Sequence, residues 1–306
     1  MGLREAIDSK QFILTGEVAP PKGIHLEHMI EEAEFYRGRV HAINVTDIQS
    51  AVMRASSLVG CLKLKEAGLA PVLQMVCRDR NRLALQSDLL SAAVLGVTEV
   101  LCLTGDYTTL GDHPQAKPVF DYDAVQLLKA ATRLMEGKDS ACYPDRKNPD
   151  QMVDGEALDG DPPVFTLGCV VNPGAEPLEP QIMKLRKKID AGAVFCQTQA
   201  VYDADMFAKF MERLGDCPIP ILAGVVVLKT PMMGKYMNAN VAGVTVPDWM
   251  IEALADKETR IPKMIEIHQK LVADLKPLCQ GIHMMPLGFD KYVPEILDGA
   301  GIGPVA

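Results

Sequence analysis

The chain has 306 residues, of which 48% are hydrophobic and only 5% aromatic, with a formal net charge of −9 and a pI near 5.2. This acidic balance argues against nucleic acid as a partner, because phosphate binding needs a concentrated basic surface. The mostly aliphatic composition suits the packed interior of an acidic α/β enzyme.

The N-terminal segment MGLREAIDSKQF lacks the apolar core of a signal peptide, and no stretch approaches the roughly 18 consecutive apolar residues of a membrane span. We therefore expect a cytoplasmic protein with no membrane partner. Eight cysteines are spread through the chain without a CxxC pair. That spacing favours reduced structural thiols and no metal site, with a cluster ligand or a redox pair as the alternative.

Strands and helices alternate from the N-terminus onward. A short helix within residues 1–10 is expected to cover the bottom of a barrel, and residues 12–19 form the first predicted strand. Pro20 and Pro21 cannot continue a strand ladder, so Glu17 is held just before a forced turn. The next predicted elements are a helix at 26–36, a strand at 41–47, a helix at 54–66 and a strand at 70–77.

Arg78, Arg80 and Arg82 open the next helix, which runs to about residue 95. These arginines are interpreted either as an anion-binding cluster or, more commonly, as helix-capping and surface ion pairs. The apolar fourth strand then leads to Asp106. The loop 107–120 that follows is long enough to act as a lid.

The alternation breaks once and then resumes. A helix is predicted at 123–136, and residues 137–163 are rich in Asp, Pro, Asn, Gly and Lys, which indicates a long excursion rather than a domain boundary. The later predicted strands are 164–171, 193–201, 219–228 and 281–287, and the later predicted helices are 177–191, 203–214, 232–237, one beginning after Pro247, 261–275 and 292–299.

Eight such βα units favour a closed (β/α)8 TIM barrel, formed as a single domain by residues 1–306. An open doubly wound sheet would more often show a glycine-rich dinucleotide fingerprint, and neither GxGxxG nor GxxxxGK[ST] is present.

Several predicted strands end in polar residues, and polar groups converging from strand ends are how such a barrel builds its site. The apolar neighbours of Glu17 would raise the pKa of its carboxyl and make it a plausible proton donor, although a structural pairing with Arg or a backbone amide is equally consistent. Asp106 follows a glycine that allows close approach to a ligand, or else it is an ordinary helix N-cap. Asp47 and Asn172 have similar standing.

Gln197 and Gln199 lie two residues apart, so both face into the barrel or both face away. Their amides could read a heteroaromatic ring, because one amide supplies both a donor and an acceptor. Lys184, Arg186, Lys187 and Lys188 cluster on one predicted helix. A solvated helix face is the more common interpretation of such a cluster, and binding of a ligand phosphate is the alternative.

Taken together, these segments resemble the methylenetetrahydrofolate reductase family over nearly the whole chain. The segments that carry the resemblance are Gly16-Glu-Val-Ala-Pro-Pro21, Val45-Thr-Asp47, Leu103-Thr-Gly-Asp106, Leu185-Arg-Lys-Lys-Ile-Asp-Ala-Gly-Ala193 and Gln197-Thr-Gln-Ala-Val-Tyr-Asp203. Each is weak alone, and their order and spacing make the set specific.

The resemblance implies a flavin-bearing barrel of one-carbon metabolism that reduces 5,10-methylenetetrahydrofolate to 5-methyltetrahydrofolate. Glu17 matches the general acid, and Asp106 matches a carboxylate near both flavin and substrate. Gln199, with Gln197 beside it, matches the folate-contacting position. The expected cofactor-binding residues are Thr46, Asp47, Thr104, Gly105, Asp106, Asn172 and Lys188.

Three positions depart from the better-known bacterial pattern: Gln181 replaces an Asp, Ser56 a His, and Pro231-Met-Met233 an aromatic residue. FAD is the expected cofactor, with FMN or weak flavin retention as alternatives, and NADH or another low-potential donor supplies electrons. The resemblance extends to reductases that work beside an iron–sulfur partner subunit. The alternative function is therefore a folate-binding subunit that depends on such a partner, and a homo-oligomer is also compatible with the sequence.

Overall fold

The computed structural model describes residues 1–305. Its strands are β1 Ile13–Val18, β2 Ala42–Val45, β3 Pro71–Val76, β4 Glu99–Leu103, β5 Cys142–Pro144, β6 Met152–Asp154, β7 Thr166–Val171, β8 Phe195–Ala200, β9 Ile221–Val226 and β10 Gly281–Met285. Its α-helices are α1 Leu3–Asp8, α2 Glu27–Glu34, α3 Ser57–Glu66, α4 Arg82–Val94, α5 Ala124–Met135, α6 Glu179–Asp190, α7 Ala204–Leu214, α8 Pro231–Asn240, α9 Asp248–Ala253, α10 Arg260–Leu275 and α11 Val293–Gly299.

Within the described residues, eight parallel strands close into a barrel in the order β1-β2-β3-β4-β7-β8-β9-β10, and β10 pairs with β1. Helices cover the outside of this sheet, so the predicted (β/α)8 barrel is confirmed. Because all strands run in parallel, their C-terminal ends meet at one rim, where a barrel of this kind carries its site.

Local sequence signals explain where several helices begin. Asn81 accepts a hydrogen bond from the Ala84 amide at the start of α4, and Asp123 forms a capping box with Gln126 at the start of α5. Asp203 caps α7 in the same way as Asp123, through two backbone amides. Such caps satisfy amide groups that the first helical turn leaves without partners.

The barrel interior is apolar at the N-terminal end of the strands and polar toward the other end. The apolar layer consists of Leu3, Ala6, Ile13, Ala42, Val72, Leu101, Phe195 and Leu222. Since Leu3 and Ala6 belong to α1, that helix closes the bottom of the barrel as predicted. Gly168 leaves room for the Phe195 ring, because a Cβ there would lie 2.2 Å from it.

The excursion 137–163 contains regular structure that the sequence analysis did not predict. Residues 142–144 and 152–154 pair as an antiparallel two-stranded ribbon outside the barrel. Ser140 donates its backbone N–H to the Gln86 side chain on α4, and Arg133 on α5 bonds the Asp139 carbonyl. The excursion is therefore anchored to two outer helices. Across residues 1–305, no helix combines the length and apolarity needed to cross a bilayer.

Candidate functional site

A cavity of about 410 Å³ opens at the C-terminal rim of the barrel. It is lined by residues from most of the barrel strands and their loops, and it brings together nearly all the side chains that the sequence analysis singled out. The predicted site residues in its lining are Glu17, Asp47, Thr104, Gly105, Asp106, Asn172, Lys188, Gln197 and Gln199. Its size lies in the range usual for small-molecule sites.

Glu17 lies near the end of β1 and reaches into the cavity. Its Oε2 accepts a hydrogen bond of 2.8 Å from the Gln74 side chain on β3, and His283 Nε2 on β10 lies 3.6 Å from the same oxygen. The expectation of an apolar setting is therefore wrong. Residues adjacent in a strand point to opposite sides of the sheet, so Val18 packs outward while polar side chains of other strands surround the carboxyl.

Asp106 follows β4, and its carboxylate forms no hydrogen bond or ion pair within the described chain. It is not a helix N-cap, since Asp123 caps the next helix and the Thr104 hydroxyl accepts from the Ala124 amide. Gly105 has φ +96°, and a Cβ there would lie 3.1 Å from Val76 Cβ. The glycine is thus required to turn Asp106 toward the cavity.

The buried guanidinium of Arg78 ties two rim loops together. It donates to the carbonyls of Ile48 and Asp106, each at 3.2 Å, and pairs with Asp79. Ile48 has φ +47°, a strained conformation for a β-branched residue, and the Arg78 bond helps to hold it. Arg78 therefore serves as a loop anchor.

Asp47 lines the cavity, but its carboxylate is already paired. It accepts from the Val76 amide and forms an ion pair with Arg80, which also binds Asp88. Burial raises the pKa of the Asp47 carboxyl, and the Arg80 guanidinium opposes that shift. For the three arginines around the start of α4, the structure supports the interpretation as ion pairs.

Thr46 is buried and lies outside the cavity lining. Its hydroxyl has no hydrogen-bond partner within residues 1–305. The side chain is therefore not placed to bind a ligand in the cavity.

The basic cluster on α6 divides between solvent and site. Arg186 and Lys187 are exposed, whereas Lys188 is buried and donates to the Val170 carbonyl at 2.5 Å. Lys184 lines the cavity beside Gln181 and lies 3.7 Å from Asp123. The helix face is therefore not wholly solvated, because two of its lysines reach the cavity.

Gln197 and Gln199 both line the cavity, although the register of β8 shifts between Gln197 and Ala200. The two residues differ in their partners. Gln197 is buried, and its amide is paired with the side chains of Asn44 and Thr15. Gln199 is exposed, and its side-chain oxygen Oε1 accepts from the backbone N–H of Ala200. Its side-chain nitrogen Nε2 has no partner within residues 1–305. Gln199 thus keeps a free donor at the rim.

Asn172 follows β7, and its side-chain nitrogen donates to the Ala242 carbonyl at 2.9 Å, which holds a neighbouring loop.

Among the departures from the bacterial pattern, Ser56 caps α3 and Pro231 begins α8, and both lie outside the cavity lining. No cluster of three or more His, Cys, Asp or Glu placed to hold a metal occurs in residues 1–305.

Two other concave regions bear on where the site lies. A groove of about 630 Å³ lies outside the barrel between α4 and the excursion, but it is lined mostly by aliphatic and serine side chains. A cavity of about 330 Å³ adjoins the rim cavity and shares Glu17 and Gln49 with it. Convergent polar groups therefore mark the rim cavity as the site.

Sequence reasoning missed four interior residues: Thr15, Asn44, Gln74 and His283. All four are buried, and all stand one layer above the apolar layer of the barrel. A signal was present, because each is a polar residue among the mostly apolar residues of a strand. Its meaning depended on which side of the strand faced the barrel axis.

Comparison with known proteins gives a consistent result. A family model described as "Methylenetetrahydrofolate reductase" matches residues 2–301. A Caenorhabditis elegans protein named "Probable methylenetetrahydrofolate reductase (NADPH)" is 21% identical over 98% of this chain, which spans only 44% of that relative. A Pectobacterium carotovorum protein named "5,10-methylenetetrahydrofolate reductase" is 24% identical over 64% of the chain and 56% of its own length.

Among solved structures, a Clostridium thermocellum protein described as binding two copies of 5-methyl-5,6,7,8-tetrahydrofolic acid superposes with a TM-score of 0.62. It covers 98% of this chain and 99% of its own, at 14% sequence identity. At that identity the likeness supports the fold alone.

Proposed function

The chain belongs to the methylenetetrahydrofolate reductase family, and from this premise we propose that it reduces 5,10-methylenetetrahydrofolate to 5-methyltetrahydrofolate with a flavin as hydride source. The observation that carries the proposal is the convergence of Glu17, Asp106 and Gln199 on one cavity. Glu17 presents a carboxyl held by the side-chain amide of Gln74, and Asp106 presents an unpaired carboxylate. Gln199 presents a side-chain amide whose nitrogen is free to donate.

The residues of the cavity fit a flavin. The polar edge of a planar heteroaromatic ring needs unpaired hydrogen-bonding groups, and the carboxylate of Asp106 has two oxygens, so that it can face the flavin as well as the substrate. The phosphates of the cofactor need cations, and Lys184 and Lys188 stand together at one edge of the cavity. A bound reduced flavin supplies the hydride that ends on the exocyclic carbon of the substrate.

Glu17 acts as the general acid. It donates a proton to N10 of the folate as the bond between N10 and the bridging carbon breaks, which leaves the reactive iminium at N5. Hydride addition to that carbon then completes the methyl group. Gln74 holds the carboxyl of Glu17 in place, and a positioned acid of this kind contributes roughly 10²- to 10⁴-fold to a rate.

Asp106 and Gln199 bind the pterin. The pterin edge presents adjacent N–H donors, which an ionised carboxylate accepts, while the free amide nitrogen of Gln199 donates to a ring acceptor. Arg78 fixes the backbone of Asp106 and so orients that carboxylate.

A second candidate function is a folate-binding subunit that needs a partner, such as an iron–sulfur protein, for electrons or for flavin retention. The observation that favours it is the weak cationic edge. Lys188 already donates to the Val170 carbonyl, Lys184 lies near Asp123, and Gln181 is neutral. These contacts leave fewer free positive charges for the phosphates of a cofactor than two unpaired lysines would.

Visible absorption of the purified chain separates the two candidates. The first predicts bound flavin, identified by mass after release, that 5-methyltetrahydrofolate bleaches anaerobically by running the reaction in reverse. Bleaching by NADH would show direct electron entry, and its absence would place that entry on a partner. A colourless chain that still binds 5-methyltetrahydrofolate would support the second candidate, and a chain that binds neither compound would contradict both.

A further inference from the structure

His283 brings an imidazole from near the C-terminal end of the chain to the carboxyl of Glu17. It lies on β10, is only 2% exposed, and pairs in register with Thr15 on β1. Its Nε2 is 3.6 Å from Glu17 Oε2, and its Nδ1 is 2.9 Å from Thr15 Oγ1. The imidazole therefore stands between the carboxyl and a hydroxyl, both on β1.

The hydrogen bonds behind Thr15 have a direction. Asn44 Nδ2 donates to Gln197 Oε1 at 2.7 Å, so the amide nitrogen of Gln197 faces Asn44 Oδ1 at 3.2 Å and Thr15 Oγ1 at 3.1 Å. The same Gln197 nitrogen lies 3.4 Å from Nδ1 of His283, and because an amide nitrogen only donates, it faces a lone pair there. The Thr15 hydroxyl, which accepts from Gln197, can donate its own hydrogen to the same Nδ1. With Nδ1 as an acceptor, the ring hydrogen lies on Nε2, toward Glu17.

Two N–H groups thus face one oxygen of Glu17. Gln74 donates to Oε2 at 2.8 Å, and the Nε2–H of His283 approaches the same atom at 3.6 Å. At 3.6 Å the interaction between His283 and Glu17 is electrostatic rather than a full hydrogen bond. A proton on Oε2 would point at both donors, so the neutral carboxyl carries its proton on Oε1.

We propose that His283 is a positioning residue, which with Gln74 reserves Oε2 as an acceptor and places the acid proton of Glu17 on Oε1. The catalytic consequence rests on the proposed reductase function, because only a proton transfer to N10 uses that placement. Tyr36, whose hydroxyl is 3.4 Å from the Glu17 backbone carbonyl, and Asp290 behind it also lie near Glu17. Further ionisable groups line the two cavities that contain Glu17: His28, Glu32, Arg54, Asp47, Arg78, Asp106, Lys184 and Lys188.

The orientation can be tested without any reaction. Imidazole ¹⁵N NMR shifts report which nitrogen carries hydrogen, and the chain has only six histidines. The His283 signals are assigned by their loss in His283→Gln. We expect hydrogen on Nε2 and a lone pair on Nδ1. Hydrogen on Nδ1 would overturn the proposal, whether or not the chain reduces folate.

The catalytic consequence is tested by a matched set of variants. His283→Leu removes the N–H, His283→Gln restores one, and His268→Gln alters a buried histidine on α10 that accepts from the Leu228 amide away from Glu17. We expect His283→Leu to slow the folate half-reaction roughly two- to fivefold, less than the loss of a complete hydrogen bond, because the contact is long. KM and flavin reduction should be unchanged.

Recovery of most of that rate in His283→Gln, together with an unchanged folate half-reaction in His268→Gln, would support positioning. Equal losses in the leucine and glutamine variants, or an equal loss in flavin reduction, would mean that His283 only fills space. If the wild-type chain reduces no folate, the proposed function fails, and the NMR measurement still decides the orientation.

Discussion

Asp290 is predicted to make the free energy of unfolding fall as the pH rises. It follows β10, is 3% exposed, and accepts a 2.8 Å hydrogen bond from the Tyr36 hydroxyl. Burial raises the pKa of this carboxyl to about 6 from its ordinary 3.8, while the Tyr36 bond opposes the shift and the Glu32 carboxylate adds to it.

The sign and size follow from proton linkage. Since the folded state binds this proton more tightly, the stabilisation is complete below about pH 4 and is lost as the pH rises through about 6. A shift of about two units corresponds to about 3 kcal/mol. Asp290→Asn is neutral at every pH, so its unfolding free energy should fall less between pH 4 and 8, by up to about 3 kcal/mol.

Urea unfolding of both proteins at several pH values measures this difference, since the other carboxylates cancel. Asp274→Asn is the matched control, because it makes the same substitution at an exposed carboxylate beside Lys270, where an ion pair contributes little to stability. Tyr36→Phe should extend the fall to higher pH, since it removes the donor that favours the ionised form. Identical pH dependence in Asp290→Asn and the wild type would refute the reasoning.

Three further substitutions test the site and the barrel. Glu17→Gln should lower folate reduction by roughly 10²-fold or more while flavin reduction by the electron donor stays intact; an equal fall in both half-reactions would remove Glu17 from the acid role. Gly105→Ala should lower the free energy of unfolding by about 1–3 kcal/mol, because φ at this position is +96°. It should also weaken folate binding, because Asp106 would be displaced; an unchanged folate affinity and free energy of unfolding would contradict this role of the turn. Gly168→Ala should lower the free energy of unfolding by about 1–3 kcal/mol, because the new Cβ would lie 2.2 Å from the Phe195 ring. Folate affinity should not change, since this contact lies at the apolar end of the barrel; an unchanged free energy of unfolding would mean that the ring moves freely.

The family and the barrel were predictable from the sequence. The predicted fourth strand and the glycine after it correspond to β4 and to Gly105 at φ +96°, and the predicted helix at 123–136 corresponds to α5 with Asp123 as its cap. Local periodicity and caps determine such elements, because both depend on residues only a few positions apart. The ribbon at 142–154 escaped prediction because its short, mostly exposed strands carry little hydrophobic alternation.

Lys188 shows the limit of reading one helix at a time. The sequence placed it in a basic cluster whose common interpretation was a solvated face, yet the packing of α6 against the barrel buries it and brings it to the Val170 carbonyl. Which side of a helix meets the sheet depends on the whole amphipathic pattern, and a long aliphatic stem lets a lysine lie on the buried side.

The sequence by itself determined the alternation of strands and helices, the polar residues at the strand ends, and the family motifs, since each is a property of neighbouring residues. Only the closed barrel decided which polar groups meet. Closure joins β10 to β1 and sets His283 against Thr15 and Glu17, positions more than 260 residues apart in the chain. No local pattern contains that contact, because it exists only once eight strands have completed the circle.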